Sequence, residues 1–270
     1  MLHILTDYHS IEEFLRSKKN TDFEGIRLLY SHVNHRIKKI VELCGDLGVE
    51  TQIVDKQVLE KKLAEKEGSS SYNKDDKKGF RGVALIIDSG ESLIKRASLE
   101  SFFAKIKDKK EASLFVLDGI SDCNNMGSII RSGGQFGIDG IVVPRHNSAR
   151  GDETILKTSA GLACHVDIIE VPNINKAIEK MKMEGFWIFA SDVEGESLYN
   201  VKFPEKVAVV MGSEGGGISR LVKKNCDCVI SIPTTRKIDS LNVSVATGIV
   251  MYELKRHMNL SITDLHNKNY

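Results

Sequence analysis

The sequence predicts an α/β protein built from two parts. Three observations predict it. The chain has 270 residues, and at roughly 100–200 residues per domain that length suggests about two domains. Short Val/Ile-rich runs alternate with segments of helical period from about Ser98 onward, a pattern that implies a largely parallel sheet. The pattern also collapses once, over Glu67–Gly79 (EGSSSYNKDDKKG), which is so polar that it reads as either a domain linker or a long surface loop.

The first part reads as a small α/β unit. Ser10-Ile11-Glu12-Glu13-Phe14-Leu15 opens a helix, with Ser10 as its cap and acidic residues in its first turn. Ile26–Tyr30 is a short strand. His35–Leu47 carries Ile37, Ile40, Val41 and Cys44 at helical spacing, and Gly48 stops it. Thr51–Val54 reads as a strand, Lys56–Lys66 as a polar helix and Arg81–Ile87 as a strand.

In the second part the strand candidates are Leu114–Leu117, Gly140–Val143, Val166–Val171, Trp187–Ser191, Val207–Met211 and Val229–Ile232. Most are continuous apolar runs, as expected where helices cover both faces of a sheet. Asn173–Glu184 and Ser219–Asn225 read as helices, and Ser240 is expected to cap a long one running to about Met258.

Composition excludes several classes. With 41% hydrophobic and 28% charged residues the chain has the make-up of an ordered domain, not a disordered one. No apolar run reaches the ~18 residues that a membrane helix needs, and the early charged residues argue against a signal peptide. The expectation is therefore a cytoplasmic protein with no membrane partner. The five cysteines, Cys44, Cys123, Cys164, Cys226 and Cys228, are odd in number and lack zinc spacing. They read as buried free thiols in a reducing compartment, with no metal site.

Charge at first argues against a nucleic-acid partner. Lys+Arg is 38, Asp+Glu 37 and the net charge +1, and residues 1–80 (14 basic, 14 acidic) and 113–270 (17 basic, 18 acidic) are each balanced too. Local contacts still suffice to hold a phosphate backbone. Candidates are Arg27, His32, His35, Arg36, Lys38 and Lys39 in the first part, and Arg131 and Arg236-Lys237 in the second.

Open α/β sheets place their ligands in loops at strand ends, and three such junctions stand out. In Asn124-Asn125-Met126-Gly127-Ser128-Ile129-Ile130-Arg131, Asn125 is placed to cap a helix, and Arg131 offers a planar fork suited to phosphate. In Met211-Gly212-Ser213-Glu214-Gly215-Gly216-Gly217-Ile218-Ser219, the glycines permit close backbone approach to a ligand. No Gly-Lys-Ser/Thr follows and no GxGxxG is present, which argues against a nucleotide-phosphate enzyme, and Glu214 would repel a phosphate. In Ile230-Ser231-Ile232-Pro233, followed by Ser240-Leu241-Asn242-Val243-Ser244-Val245-Ala246-Thr247-Gly248, Pro233 ends a strand. Asn242 is a polar amide beside an apolar stripe and needs a partner.

In this order the three strings resemble the motifs of the SpoU (TrmH-type) family of RNA 2′-O-ribose methyltransferases. The resemblance covers about Ser113 to Arg256. More softly, the first ~80 residues resemble the substrate-binding domain of the 23S ribosomal RNA (guanosine-2′-O-) branch.

The resemblance implies an RNA-binding domain over 1–88 and an S-adenosylmethionine-dependent catalytic domain over 98–270. It also implies a SPOUT-like fold with a C-terminal trefoil knot, and a homodimer whose sites are completed near the partner chain. It implies that Gly212, Ile232 and Leu241 contact S-adenosylmethionine, largely through backbone. The family's functional polar positions fall on Asn125, Arg131, Glu214, Ser240 and Asn242, and the Asn-x-Gly spacing selects Asn125 over Asn124. His146 and His165 are expected to be structural. The expected partner is RNA, 23S ribosomal RNA first. A transfer-RNA methylase of the same family and a non-catalytic ribosome-assembly factor are the alternatives.

Overall fold

The structure is a computed structural model, and it describes residues 2–18, 23–67, 81–88, 92–235 and 240–258. The expected linker over Glu67–Gly79 falls almost wholly outside the described residues, as do Arg236 and Lys237. The chain divides into two compact units, one of Met1–Ile94 with Asp152–His165, the other of Lys95–Gly151 with Val166–Tyr270.

The first unit holds β1 (Leu2–Leu5), α1 (Tyr8–Ser17), β2 (Ile26–Tyr30), α2 (His35–Leu47), β3 (Glu50–Ile53), α3 (Lys56–Glu67) and β4 (Val83–Asp88). Its sheet runs β1-β4-β2-β3. β4 pairs antiparallel with both neighbours, and β2 and β3 are parallel. β1 is a strand the sequence reading did not find, because four residues give too short a run for alternation to show. The α1 cap also differs from expectation. Asp7 is the cap, accepting from Ser10 N at 3.0 Å, and the helix begins at Tyr8. Ser10 is fully buried and donates its hydroxyl to Leu156 O at 2.9 Å. Gly48 ends α2 in the left-handed region, at φ 73°.

Leu156 belongs to a segment that the sequence reading placed in the second domain. The structure differs there. α6 (Asp152–Thr158) and the turn Leu162–Cys164 pack within the first unit. Ile155 and Leu156 are fully buried, Glu153 Oε1 lies 3.1 Å from His3 Nδ1 and accepts from Ile4 N, and His165 Nε2 lies 2.8 Å from Glu13 Oε2. Gly161, at φ +84°, leaves no room for a Cβ against Glu13. Sequence adjacency hid this, since a domain reading made of contiguous blocks cannot anticipate a crossover.

The second unit holds β5 (Arg96–Ala97), α4 (Leu99–Ile106), β6 (Ala112–Asp118), α5 (Cys123–Phe136), β7 (Gly140–Pro144), β8 (Asp167–Val171), α7 (Ile174–Met183), β9 (Trp187–Ser197), β10 (Lys206–Gly212), α8 (Arg220–Asn225), β11 (Cys228–Ser231) and α9 (Val243–His257). The strands form one seven-stranded sheet in the order β11-β9-β10-β6-β7-β8-β5. Every pairing in it is parallel. All strands therefore end on one edge of the sheet. One core cluster fills the space between strands and helices, including Phe102, Val116, Ile169, Ile188, Val210 and Val222. β9 runs six residues past the expected Ser191, and Gly195 in that extension lies so close to Ile230 backbone that a Cβ would come within 2.4 Å.

Two helix starts in this unit differ from expectation. Asp122, not Asn125, caps α5, and Asn242, not Ser240, caps α9. All five cysteines are free, and only Cys44 is fully buried. Burial raises the thiol pKa of Cys44 and Cys226 to about 12 and that of Cys164 to about 11. No helix among the described residues is long and apolar enough to cross a membrane.

The His165 contact holds the Glu13 carboxyl below its ordinary range, with Arg16 adding to the effect. A depressed carboxyl stabilises the folded state above its unfolded pKa of about 4.3, and that contribution fades as pH falls through the lowered folded value. The urea midpoint should therefore drop between pH 6 and 3 by more in the wild type than in Glu13→Gln. Parallel curves for the two proteins would contradict the pair's contribution.

Candidate active site

The site lies on the sheet edge where the strands end. There the loop after β6 leads into α5, the loop after β10 is rich in glycine, and the chain after β11 returns as α9.

Asp122 Oδ1 accepts from Asn125 N at 2.7 Å, which fixes the first turn of α5. That turn carries the Asn125 side chain. α9 starts at Asn242, whose Oδ1 accepts from Ser244 N at 2.9 Å, Ser244 Oγ at 2.6 Å and Val245 N at 3.3 Å. Helix N-termini demand an acceptor, so the amide oxygen is committed to the helix and the amide NH2 must face away from it. The NH2 donates to Asn125 Oδ1 at 3.0 Å and to Glu214 Oε1 at 2.5 Å. Asn125 Nδ2 in turn donates to Glu214 Oε1 at 3.3 Å, and Val243 N adds a contact at 3.4 Å. One carboxylate oxygen thus ties together two amides from different helices. A negative charge at the start of α9 is also favoured by the helix dipole.

Glu214 is presented by a tight loop. Ser213 and Gly217 exchange backbone hydrogen bonds at 3.1 and 2.9 Å, and Gly215 and Gly217 sit at positive φ, 81° and 63°. The loop folds back over Gly212, where a Cβ would lie 2.2 Å from the Gly217 carbonyl carbon. Ser219 N donates to Asp118 Oδ2 at 2.8 Å, which pins the far end of the loop to the end of β6.

The structure therefore brings together three of the five polar positions, Asn125, Glu214 and Asn242. Arg131 does not join them. It lies six residues along α5, and at about 3.6 residues per turn it does not share a face with Asn125. It is exposed, and its side chain makes no hydrogen bond or ion pair among the described residues. Ser240 is exposed and makes no bond to the cluster. Gly212, Ile232 and Leu241 are each half-buried, at the ends of β10 and β11 and just before α9. Sequence reasoning missed Asp118 and Asp122, which hold the two loops. The spacing Asp122-x-x-Asn125, the ordinary geometry of a side-chain cap, was the available signal.

The basic residues of the first unit are only partly grouped. His35, Arg36 and Lys39 of α2 line an open cleft of about 450 Å³ with Glu12, Arg16 and Leu43. Lys38 instead lies 3.9 Å from Glu42, and His32 turns back to Asn34 and Ser31. His165 is held by Glu13, as given above, and His146 is exposed.

The comparisons with known proteins point to one family. The model of the SpoU rRNA Methylase family matches residues 112–252, which span all three loops. A protein of Borreliella burgdorferi named as an uncharacterized tRNA/rRNA methyltransferase is 34% identical over 237 residues, covering 87% of this chain and 100% of that one. A putative TrmH family tRNA/rRNA methyltransferase of Staphylococcus aureus is 38% identical over 181 residues, 66% of this chain and 71% of that one. Among solved structures, the SpoU methyltransferase AviRb of Streptomyces viridochromogenes, in complex with AdoMet, has a similar fold, with a TM-score of 0.71 at 17% identity over 94% of this chain and 89% of that chain. An AdoMet-bound rRNA methyltransferase of Sinorhizobium meliloti also gives 0.71, at 18% identity over 95% of this chain and 88% of that chain.

The fold is that of SpoU methyltransferase structures. The chain belongs to the SpoU rRNA Methylase family and is an RNA methyltransferase of the SpoU/TrmH type.

Gly212→Ala should force the Ser213–Gly217 loop outward, because the new methyl meets backbone, which cannot rotate away. Overpacking of this kind costs about 1–3 kcal/mol. Chemical denaturation should show a loss in that range, and a stability within ~0.3 kcal/mol of wild type would contradict the close approach.

Proposed function

We propose that this chain transfers a methyl group from S-adenosylmethionine to a ribose 2′-hydroxyl of RNA, with 23S ribosomal RNA as the target. The observation that carries the reading is the Asn125–Glu214–Asn242 cluster, solvent-accessible and fixed at the strand-end edge of a parallel sheet. S-adenosylmethionine supplies the electrophile, a methyl group on a sulfonium. Gly212, Ile232 and Leu241, each half-buried beside the loops of the site, suit a cofactor held through main-chain contacts.

The protein's own share is to orient and to handle one proton. With its carbonyl oxygen held by Asn242 and its NH2 by Glu214, Asn125 has a fixed amide plane against which a ribose can be oriented. Orientation of this kind removes much of the entropic barrier to a bimolecular transfer. Ser240 completes the polar rim. A guanidinium holds its proton too tightly to act as a free base. We therefore assign Arg131 to holding the phosphate beside the target ribose and polarising its hydroxyl, with the phosphate as proton relay.

A homodimer and a C-terminal trefoil knot belong to the same proposal. Val245, Ile249 and Tyr252 form an exposed apolar stripe along one face of α9, 52%, 38% and 58% exposed, and a second copy of the chain would cover it. Arg131, apart from its own chain's cluster, would then serve the partner's site. The α1–α2 cleft, with Arg16, His35, Arg36 and Lys39, is the proposed RNA-binding surface of the first unit.

Arg131→Ala should lower the rate of labelled methyl transfer to ribosomal RNA by at least ~100-fold, while calorimetric affinity for S-adenosylmethionine stays within ~twofold. A comparable loss in both would overturn the assignment. Wild-type transfer to transfer RNA in preference to ribosomal RNA would overturn the choice of target.

A further inference from the structure

A second charged cluster on the same sheet edge takes no part in the site just described. Glu170, near the end of β8, has three arginines around it. Arg145 Nε lies 3.1 Å from its Oε1, and Arg96 Nε and Arg150 Nη2 lie 3.8 and 3.9 Å from its Oε2. Three guanidiniums face this one carboxylate, and they are not equally exposed. Arg96 and Glu170 are mostly buried, with side chains 20% and 19% exposed, whereas those of Arg145 and Arg150 are 59% and 56% exposed. Arg150 also donates to the Arg145 carbonyl, so the two exposed forks are held side by side on one loop. An ion pair alone needs one guanidinium, and this arrangement presents two to solvent.

The loop is joined to the active-site loop. Ala149 N donates to Ile120 O at 3.2 Å, with both residues buried, and Ile120 lies in the loop that leads from β6 to Asn125. Arg145 N is itself fixed by Val171 O at 2.8 Å. β6, β7 and β8 are neighbours in the sheet. At about 4.8 Å per strand, the ends of β6 and β8 stand about 10 Å apart.

We propose that Arg145 and Arg150 form a docking site for RNA phosphodiester groups within a few nucleotides of the methylated ribose, with Glu170 beside them only tempering their charge. The guanidinium fork matches phosphate oxygens, and the loop's hydrogen bond to the active-site loop ties the register of the strand to the cluster around Glu214. The proposal rests on the RNA-methyltransferase reading but not on the identity of the acceptor atom.

The test uses the full chain in three forms: wild type, the double variant Arg145→Ala with Arg150→Ala, and Glu170→Gln. Affinity for total ribosomal RNA is read between 50 and 200 mM salt, and affinity for S-adenosylmethionine separately by calorimetry. The double variant should bind RNA on the order of tenfold more weakly, with a salt slope shallower by about 1.4, since each contact to a single strand contributes roughly 0.7. Its S-adenosylmethionine affinity should be unchanged. Glu170→Gln should bind RNA at least as tightly as wild type, because it removes only negative charge. An unchanged RNA affinity and slope in the double variant would overturn the proposal. So would a Glu170→Gln variant as weak as the arginine variant, which would mark the cluster as a structural ion pair. Failure of the methyl-transfer reading would show instead as a wild type without S-adenosylmethionine affinity.

Discussion

The carboxylate of Glu214 accepts from the amides of Asn125 and Asn242 and faces the backbone N–H of Val243. The three loops of the site meet at this one group. Hydrogen bonds to a charged acceptor contribute about 1.5–3 kcal/mol where they are shielded, and less where solvent competes, as it does here. Their importance is therefore geometric. Asn242 cannot rotate its amide without leaving the start of α9 uncapped, and Asn125 cannot move without breaking its bond to Asn242. Glu214 in turn is presented only because Gly212 lets the glycine loop fold back over it. The architecture that places these loops side by side is the all-parallel sheet, whose strands end together.

Much of this was legible in the sequence, for physical reasons that can be stated residue by residue. Continuous Val/Ile runs announced buried parallel strands, and Gly48 announced the end of α2 by needing a left-handed backbone. The three junctions stood out because amides and glycines gather at strand ends, but the choice of Asn125, Glu214 and Asn242 among them rested on the resemblance to the SpoU family. Capping was read less well. Ser10, Asn125 and Ser240 were each assigned to a helix start that Asp7, Asp122 and Asn242 occupy instead. A cap is recognised by where the helix begins, and local composition places that boundary only to within a few residues.

The crossover of Asp152–His165 into the first unit was not legible at all. Ile155 and Leu156 read as ordinary core residues, and nothing in their spacing says which core they fill. The consequence is physical. The first unit cannot be removed at a sequence linker without exposing the apolar face of α6 and stranding the pairs His3–Glu153 and Glu13–His165. Charge behaves in a related way. A chain with a net charge of +1 has no electrostatic footprint of the usual kind for an RNA partner, yet the structure gathers Arg145 and Arg150 on one loop and Arg16, Arg36 and Lys39 around one cleft. Balanced composition and local positive surfaces are compatible because basic side chains outnumber acidic ones at these two places, three arginines to Glu170 in one and Arg16, Arg36 and Lys39 to Glu12 in the other.

The central claim is that the cluster around Glu214 presents a ribose hydroxyl, not a base, for methylation. Alkaline digestion tests it directly. Hydroxide cleaves RNA through the 2′-oxygen, so a methylated ribose leaves its 3′ phosphodiester intact. After transfer of a labelled methyl group to ribosomal RNA and complete alkaline hydrolysis, the account predicts that the label remains in a resistant dinucleotide. Label recovered in mononucleotides would show methylation of a base and would contradict it.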